Sequence, residues 1–300
     1  AEGPEADKRL GIAQAKAMRA YNYFMLVNTF AKPYVKETAA TDNGIIIHKK
    51  FDLEAVSKQY TVQEVYDFIM EDLNSAIVDL PETPLNEFRP SKTLGWALKA
   101  KVHLYNGELD SALNAGLEAL KSTYHKLWDM RPMFYNGLEE LPFGDMQSTG
   151  WSSVAIHLKS DPENLLYQFC NNDQGEPSPL FIRKETLDLF DKQNDLRYKT
   201  CVNYDTPNRP TGESGARMFG SNQVKWNCGG IRFSEVYLIV AECYARLNDP
   251  ENAMKYLNEL YVNRVKNNTP ELTAASADEA FEQVRKERKR ELMFTYNGFL

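Results

Sequence analysis

The segment IRFSEVYLIVAECYARL, residues 231–247, has the periodicity of an α-helix. One apolar stripe recurs every three or four positions and comprises Tyr237, Val240, Ala241, Tyr244 and Leu247. A second apolar set lies outside that stripe and comprises Val236, Leu238, Ile239, Cys243 and Ala245. Ser234 is a candidate N-cap. Because a surface helix would leave the second set in water, we expect this helix to have neighbours on two sides.

The first neighbour follows directly in the sequence NDPENAMKYLNELYVNRV. Asp249 is a candidate N-cap and Pro250 occupies the first helical position, so the two segments form an antiparallel helical hairpin. Residues 97–120, ALKAKVHLYNGELDSALNAGLEAL, align with residues 238–261, with Gly107 opposite Asn248 at the turn. Two copies of one hairpin, with small residues at the helix crossing, are typical of tetratricopeptide-like (TPR-like) repeats, which stack into an α/α superhelix.

Three further helices fit the same architecture. AQAKAMRAYNYFMLVNTFAKPYV predicts a long helix that ends before Pro33. TVQEVYDFIMEDLNSAIVDLP predicts another, with Thr61 and Glu64 as a capping box. We expect these two to form a first hairpin whose long connection carries a short strand in NGIIIHKKF. The last helix is predicted from about Ser276 to Phe294.

Residues 122–230 have a different texture, because Pro, Gly and Asn recur and only one helix is predicted, near 183–192. A long irregular excursion of this kind is typically functional. We therefore expect one all-α domain over residues 1–300, with a helical scaffold at 1–121 and 231–300. The loop-rich excursion 122–230 is expected to bind the ligand.

The formal net charge of −7 and the pI near 5.3 oppose a nucleic-acid partner, since that binding requires Lys and Arg to neutralise phosphates. The one basic run, VRKERKREL at 284–292, is interleaved with Glu on a helical pattern. It predicts a solvated helix face with ion pairs.

Several of these segments, in this order, resemble the SusD/RagB family: AKAMRAYNYFMLVNTFAKPYV, VYDFIMEDLNSAIVDLP, RPSKTLGWALKAKVHLYNGELDSAL, SEVYLIVAECYARLNDPENAMKYLNEL and RKERKRELMF. The resemblance implies an exported lipoprotein on the outer surface of Bacteroidetes-type bacteria. It also implies binding of glycans or other nutrients and a SusC-like TonB-dependent outer-membrane transporter as partner. The family's lipidated cysteine is absent, and TYNGFL ends the chain early, so we expect truncation at both ends, with the lipid anchor in the missing segment.

Sugar binding requires aromatic faces for the pyranose ring and amide groups for its hydroxyls. Trp151 and Trp226 are the foremost candidates, because small or polar residues flank them. The other candidate ligand residues are Tyr135, Tyr204, Phe219, Asn171, Asn172 and Gln174. The alternative for each aromatic is that it anchors a loop on the scaffold. Trp96, by contrast, is expected in the core.

Motifs for catalysis and cofactors are absent, since GxSxG, HExxH, the P-loop and GxGxxG do not occur. The four cysteines include no CxxC pair, so neither zinc nor a redox motif is indicated, and their disulfide pairing is left open. Cys243 is expected to be buried within the apolar helix, where a free thiol packs as a small apolar group. Asp195 and Arg197, in NDLRY, are expected to form a structural ion pair or a helix cap. We therefore expect a binding protein without a cofactor or catalytic residues. A TPR-type protein-interaction scaffold and a glycoside hydrolase are the two alternatives.

Overall fold

The computed structural model describes residues 3–49, 54, 56–133, 135–136, 139–140, 161–168, 181–182, 184–201, 217–218, 227, 229–293 and 295. These residues are mainly α-helical, which confirms the predicted all-α, TPR-like class. The chain divides into two compact units, Ala1–Tyr124 and His125–Phe299. In the described part of the chain, no helix has both the length and the apolar character needed to span a membrane.

The first unit contains two helical hairpins and a small sheet. Its elements are α1 (Glu5–Phe30), β1 (Asn43–Ile46), β2 (Gln59–Thr61), α2 (Val62–Asp79), α3 (Lys92–Tyr105) and α4 (Leu109–Leu120). Helix α1 packs against α2, and α3 packs against α4. β1 pairs antiparallel with β2, so the strand expected in NGIIIHKKF is confirmed.

Local signals define the ends of these helices as the sequence predicts. The Thr61 side chain accepts a hydrogen bond from the Glu64 backbone, and the Glu64 carboxylate accepts one from the Thr61 backbone, which confirms the capping box.

Between the helices, Arg19 of α1 makes a bidentate ion pair with the buried Asp72 of α2, at 2.7 and 2.8 Å. Fork-to-fork pairs of this kind fix orientation as well as adding energy.

The second unit contains a three-helix core and several short elements. The helices are α5 (Lys184–Leu187), α6 (Leu196–Cys201), α7 (Phe233–Arg246), α8 (Pro250–Tyr261) and α9 (Ala277–Glu291), and a 3₁₀ turn spans Arg131–Met133. Among the described residues of this unit, two short strand pairs are antiparallel: β3 (Tyr135–Asn136) with β4 (Glu139–Glu140), and β5 (Phe181–Ile182) with β6 (Arg217–Met218).

Helix α7 has the two neighbours that its broad apolar surface requires. It packs against α8 and α9, and the second apolar set of the sequence is entirely buried. Leu238 and Ala245 join Leu257 of α8 and Val284 of α9 in one cluster. Cys243 is buried, as expected.

The predicted cap of α7 is wrong. The helix begins at Phe233, so Ser234 and the adjacent Glu235 lie inside its first turn and are buried. Arg232 occupies the cap position but makes no side-chain cap. Instead, the Phe233 amide donates to the Glu163 carbonyl at 2.7 Å. A tertiary contact therefore satisfies the end of this helix, where sequence favoured a local one. Asp249, by contrast, caps α8 as predicted, at 3.0 Å from the Asn252 amide nitrogen.

The helix expected near 183–192 is a single turn, α5. Asp191 ends this region because its carboxylate accepts from the backbone amides of Gln193 and Asn194, at 3.0 and 3.1 Å. Such a local side-chain turn competes with helix continuation. Helix α6 then begins at Leu196 and has no counterpart among the sequence predictions.

Trp96 is only half-buried, contrary to the expectation that it lies in the core. The Lys99 ammonium lies 5.1 Å from the centroid of its ring. This distance is that of a cation–π contact, which is compatible with a partly exposed ring.

Candidate functional site

The described part of the excursion is organised by a buried set of ionic side chains, which we call the ion cluster. Its members are Asp161, Glu163, Asp195, Arg197, Arg232, Arg264, Glu287, Arg290 and Glu291. Each side chain is at most 2% exposed, except Arg290 at 8%. Such groups are tolerated in an interior only when they are paired and hydrogen-bonded.

Glu291, at the end of α9, is the centre of the ion cluster. Its Oε1 accepts from Arg232 at 2.9 Å and from Arg264 at 2.8 Å. Its Oε2 accepts from Arg197 at 2.9 Å and from Arg264 at 3.0 Å. One carboxylate therefore joins three arginines that lie in three separate segments of the chain.

Two of these arginines extend the ion cluster to the beginning of the excursion. Arg264 donates to the Glu163 carboxylate at 2.6 Å and to the Trp128 carbonyl at 2.7 Å. Arg232 donates to Asp161 at 2.8 Å and lies 2.9 Å from Glu163. The segments around Trp128 and 161–168 are thereby bound to the residues that flank α7 and α8.

The remaining members bind the segment that carries α6. Arg197 makes a bidentate pair with Asp195, at 3.1 and 2.8 Å, so the ion pair expected in NDLRY is confirmed. Arg197 also binds Glu287 of α9. Arg290 binds Glu287 and donates to the Leu189 carbonyl at 2.7 Å.

The pKa directions show which charges are stabilised. Burial alone would raise the pKa of Glu291, but Arg264, Arg232 and Arg197 outweigh it and hold that pKa well below its usual range. Burial likewise opposes ionisation of Arg264, but Glu163 and Glu291 raise its pKa. Glu291 is therefore ionised at neutral pH. In the described residues, no group of three or more His, Cys, Asp or Glu side chains is arranged to hold a metal ion.

The basic run 284–292 is therefore only partly a solvated face, which corrects the sequence prediction. Arg285 pairs with Glu282 on the exposed side, as expected. Glu287, Arg290 and Glu291 instead point into the ion cluster and are buried. The run does form ion pairs, but those on one side of the helix are interior.

Asn227 makes a second set of anchors at the end of the excursion. Its carbonyl oxygen accepts from the amides of Gln168 and Gly230, at 3.0 and 2.8 Å. Its amide group donates to Asn164 and to the Leu166 carbonyl, both at 2.8 Å. The fully buried Asn227 side chain thus adds to the backbone hydrogen bonds that join 161–168 to 229–231, such as the one from the Leu165 amide to the Ile231 carbonyl at 3.0 Å.

Most of the predicted ligand residues lie outside the described residues: Trp151, Trp226, Tyr204, Phe219, Asn171, Asn172 and Gln174. Tyr135 belongs to β3, of which only the backbone is described. Sequence reasoning did not identify Glu291, Arg232, Arg264 or Asn227 as organisers of the excursion. A signal existed only for Asp195 and Arg197, which are close in sequence.

A surface groove of about 730 Å³ lies between α8 and the segment 271–274, which follows it in the chain. The Asn258 amide holds that segment, because it donates to the Leu272 carbonyl and its oxygen accepts from the Leu272 amide, both at 2.9 Å. The charged side chains that line the groove are Glu251, Glu259, Glu271 and Lys255. The groove therefore presents three carboxylates against one ammonium group.

Comparison with family models gives a match at each end of the chain. Residues 215–299 match the model described as SusD family, and residues 4–104 match a model described as "Starch-binding associating with outer membrane". The match at residues 4–104 covers α1, α2 and nearly all of α3, and the match at residues 215–299 covers α7, α8 and α9.

A curated protein and several solved structures are also similar. The SusD-like protein P2 of Formosa agariphila is 24% identical over 83% of this chain. The chain spans about half of that relative's length, 54%.

Two solved structures share the fold. A SusD superfamily protein of Bacteroides thetaiotaomicron has a TM-score of 0.77 at 18% identity, over 99% of this chain and 68% of that one. A SusD-like carbohydrate binding protein of Bacteroides vulgatus has a TM-score of 0.72 at 20% identity, over 100% and 63%. Both ends of the chain are therefore similar to SusD family models, and its helical architecture is shared with these solved structures.

Proposed function

We propose that this protein binds a glycan or a related nutrient at the cell surface and delivers it to a SusC-like TonB-dependent outer-membrane transporter, without catalysing a reaction. The observation that carries the proposal is the match of both ends of the chain to SusD family models, one of them described as starch-binding and outer-membrane-associated. A lipid anchor on the full-length protein is part of the same proposal.

The ligand contacts are proposed to come from the excursion 122–230. Trp151 and Trp226 offer aromatic faces to a sugar ring, and the amides of Asn171, Asn172 and Gln174 offer donors and acceptors to its hydroxyls. Tyr135, Tyr204 and Phe219 add further aromatic surface. This division of roles is typical of a non-catalytic sugar site, in which stacking supplies area and amides supply orientation.

The test is a glycan array probed with the full chain, followed by titration calorimetry with each glycan that binds. We expect saturable binding of at least one glycan class and, by thin-layer chromatography after prolonged incubation, no released sugar. Released sugar would favour the glycoside hydrolase alternative. Absence of binding across the array would contradict a glycan ligand.

The transporter part is tested separately with the native, full-length protein. We expect it to co-purify with an outer-membrane β-barrel after detergent extraction. Recovery of the native protein free in the cytoplasm would contradict both the partner and the proposed location.

A second candidate, a peptide-binding TPR-like scaffold, is favoured by the groove between α8 and 271–274. Its three carboxylates against Lys255 favour a basic, extended peptide. The test compares lysine-rich and glutamate-rich peptides of equal length, on the wild type and on a Glu259→Lys variant. Preferential binding of the basic peptide that the variant abolishes would support this function, whereas equal or absent binding of both would eliminate it.

A further inference from the structure

The predicted ligand residues fall in three stretches of the sequence, and each stretch begins and ends at a segment that the ion cluster binds. Tyr135 and Trp151 lie between Trp128 and Asp161. Asn171, Asn172 and Gln174 lie between Glu163 and Leu189. Tyr204, Phe219 and Trp226 lie between Arg197 and Arg232. The ion cluster therefore joins the ends of all three stretches.

We propose that Glu291 is a positioning residue of the ligand site, which fixes the ends of these three stretches relative to one another. The proposal rests on the proposed glycan-binding function. Its basis is the geometry of one buried carboxylate that accepts four hydrogen bonds from three arginines. In this role Glu291 acts through Arg197, Arg232 and Arg264 and does not touch the ligand.

Glu291 can fix the ends of all three stretches because three arginines share its carboxylate. Arg197, Arg232 and Arg264 carry like charges and converge on the same carboxylate, so their mutual repulsion is offset by Glu291 at close range. Without that charge, the three guanidinium groups would separate, and each would shift the segment that it binds. Removal of one partner from a buried ionic network leaves the others uncompensated.

The experiment compares Glu291→Gln with Glu282→Gln on the full chain. Both variants exchange a carboxylate for an amide on α9, but Glu282 is exposed and pairs only with Arg285 among the described contacts. Amide hydrogen exchange is followed in 161–168, 195–198 and 229–232, with α1 to α4 of the first unit as an internal reference. Glycan affinity is measured at a temperature at which circular dichroism shows both variants to be folded.

We expect Glu291→Gln to accelerate exchange in those three segments by about tenfold or more, and to weaken glycan binding by about tenfold. The Glu282→Gln variant is expected to match the wild type in both measurements. If Glu291→Gln does not fold, Glu291→Asp replaces it, because aspartate keeps the charge but withdraws the carboxylate by one methylene group. A smaller change in the same direction is then expected.

The outcomes separate the two proposals. Faster exchange with unchanged affinity would overturn the positioning role and leave glycan binding intact. Unchanged exchange in the three segments would overturn the structural basis of that role. A wild-type protein that binds no glycan would overturn the proposed function, and the positioning role with it, whatever the exchange data show.

Discussion

Gly107 and Asn248 occupy the same position in two successive helical hairpins, and both have a left-handed backbone, with φ of 76° and 65°. The following residue closes each helix in the same way: the Glu108 amide donates to His103, and the Asp249 amide donates to Tyr244, both at 2.9 Å. This is the hydrogen-bond pattern of a Schellman C-cap. The alignment of residues 97–120 with 238–261 thus extends to backbone geometry.

Replacement of Gly107 by alanine is expected to lower the free energy of unfolding by about 1–2 kcal/mol, because a Cβ disfavours the left-handed region. The cost is conformational, since nothing lies within 4 Å of the added carbon. Gly11→Ala is the matched control. Gly11 is also open, but it lies inside α1, so alanine should stabilise the helix by about 0.5–1 kcal/mol. Denaturant unfolding that gave the same sign for both variants would contradict this explanation.

Gly230 is required for a different reason. A Cβ there would lie 1.8 Å from the Leu166 carbonyl oxygen and 2.2 Å from Oδ1 of Asn227. Gly230→Ala must therefore displace the 161–168 segment or break the Asn227 anchors, and we expect a loss of about 1–3 kcal/mol or more. Thermal unfolding checks the prediction, and a melting temperature equal to that of the wild type would refute it.

The buried His125 side chain is expected to make the stability of the folded protein fall in acid. Burial lowers the pKa of His125 to about 4, from an ordinary value of 6.5. Below pH 6.5 the unfolded chain binds a proton that the folded chain does not, so stability falls as the pH drops from 6.5 towards 4. The full effect is about 3 kcal/mol.

Urea unfolding at several pH values measures this dependence. Between pH 6.5 and 5, a His125→Gln variant should show a shallower fall in unfolding free energy than the wild type. Parallel slopes would show that His125 is not the group responsible.

Substitution of Trp151 or Trp226 by alanine distinguishes a role in ligand binding from a role in anchoring a loop. If either stacks on a glycan, its replacement by alanine should weaken binding by about 1–3 kcal/mol with little change in melting temperature. If it anchors a loop on the scaffold, the same change should instead cost about 3–5 kcal/mol of stability. Calorimetry and thermal unfolding on the same variants decide between them. Unchanged affinity in both variants would place the ligand site elsewhere.

The helical scaffold could be predicted because its signals are local. Thr61 and Glu64 are three residues apart, and Asp249 lies directly before Pro250, so each cap can be identified from one short stretch of sequence. The breadth of the apolar surface on α7 also sufficed to predict its second neighbour.

The ion cluster could not be predicted, because its partners are distant in sequence. Glu291 meets Arg264, Arg232 and Arg197 across separations of 27, 59 and 94 residues. In isolation, alternating charges at helical spacing are typical of a solvated face, and burial of Glu291 depends on those three arginines. A long separation in sequence also explains why the predicted Ser234 cap was wrong, because the helix-end contact joins the Phe233 amide to the Glu163 carbonyl, 70 positions earlier.

The long sequence separations between members of the ion cluster also affect the order in which parts of the second unit fold. The contact between Arg264 and the Trp128 carbonyl closes 136 residues of chain, whereas the hydrogen bond from Lys16 to Ser75 in the first unit closes 59. Because long loops close at a greater entropic cost and lower contact order favours faster folding, the α7–α8 hairpin should form before the ion cluster is complete. Pulse-labelled refolding should then protect amides of α7 and α8 earlier than those of 161–168. The charges that fix the excursion in the folded protein would thus be among its last contacts to form.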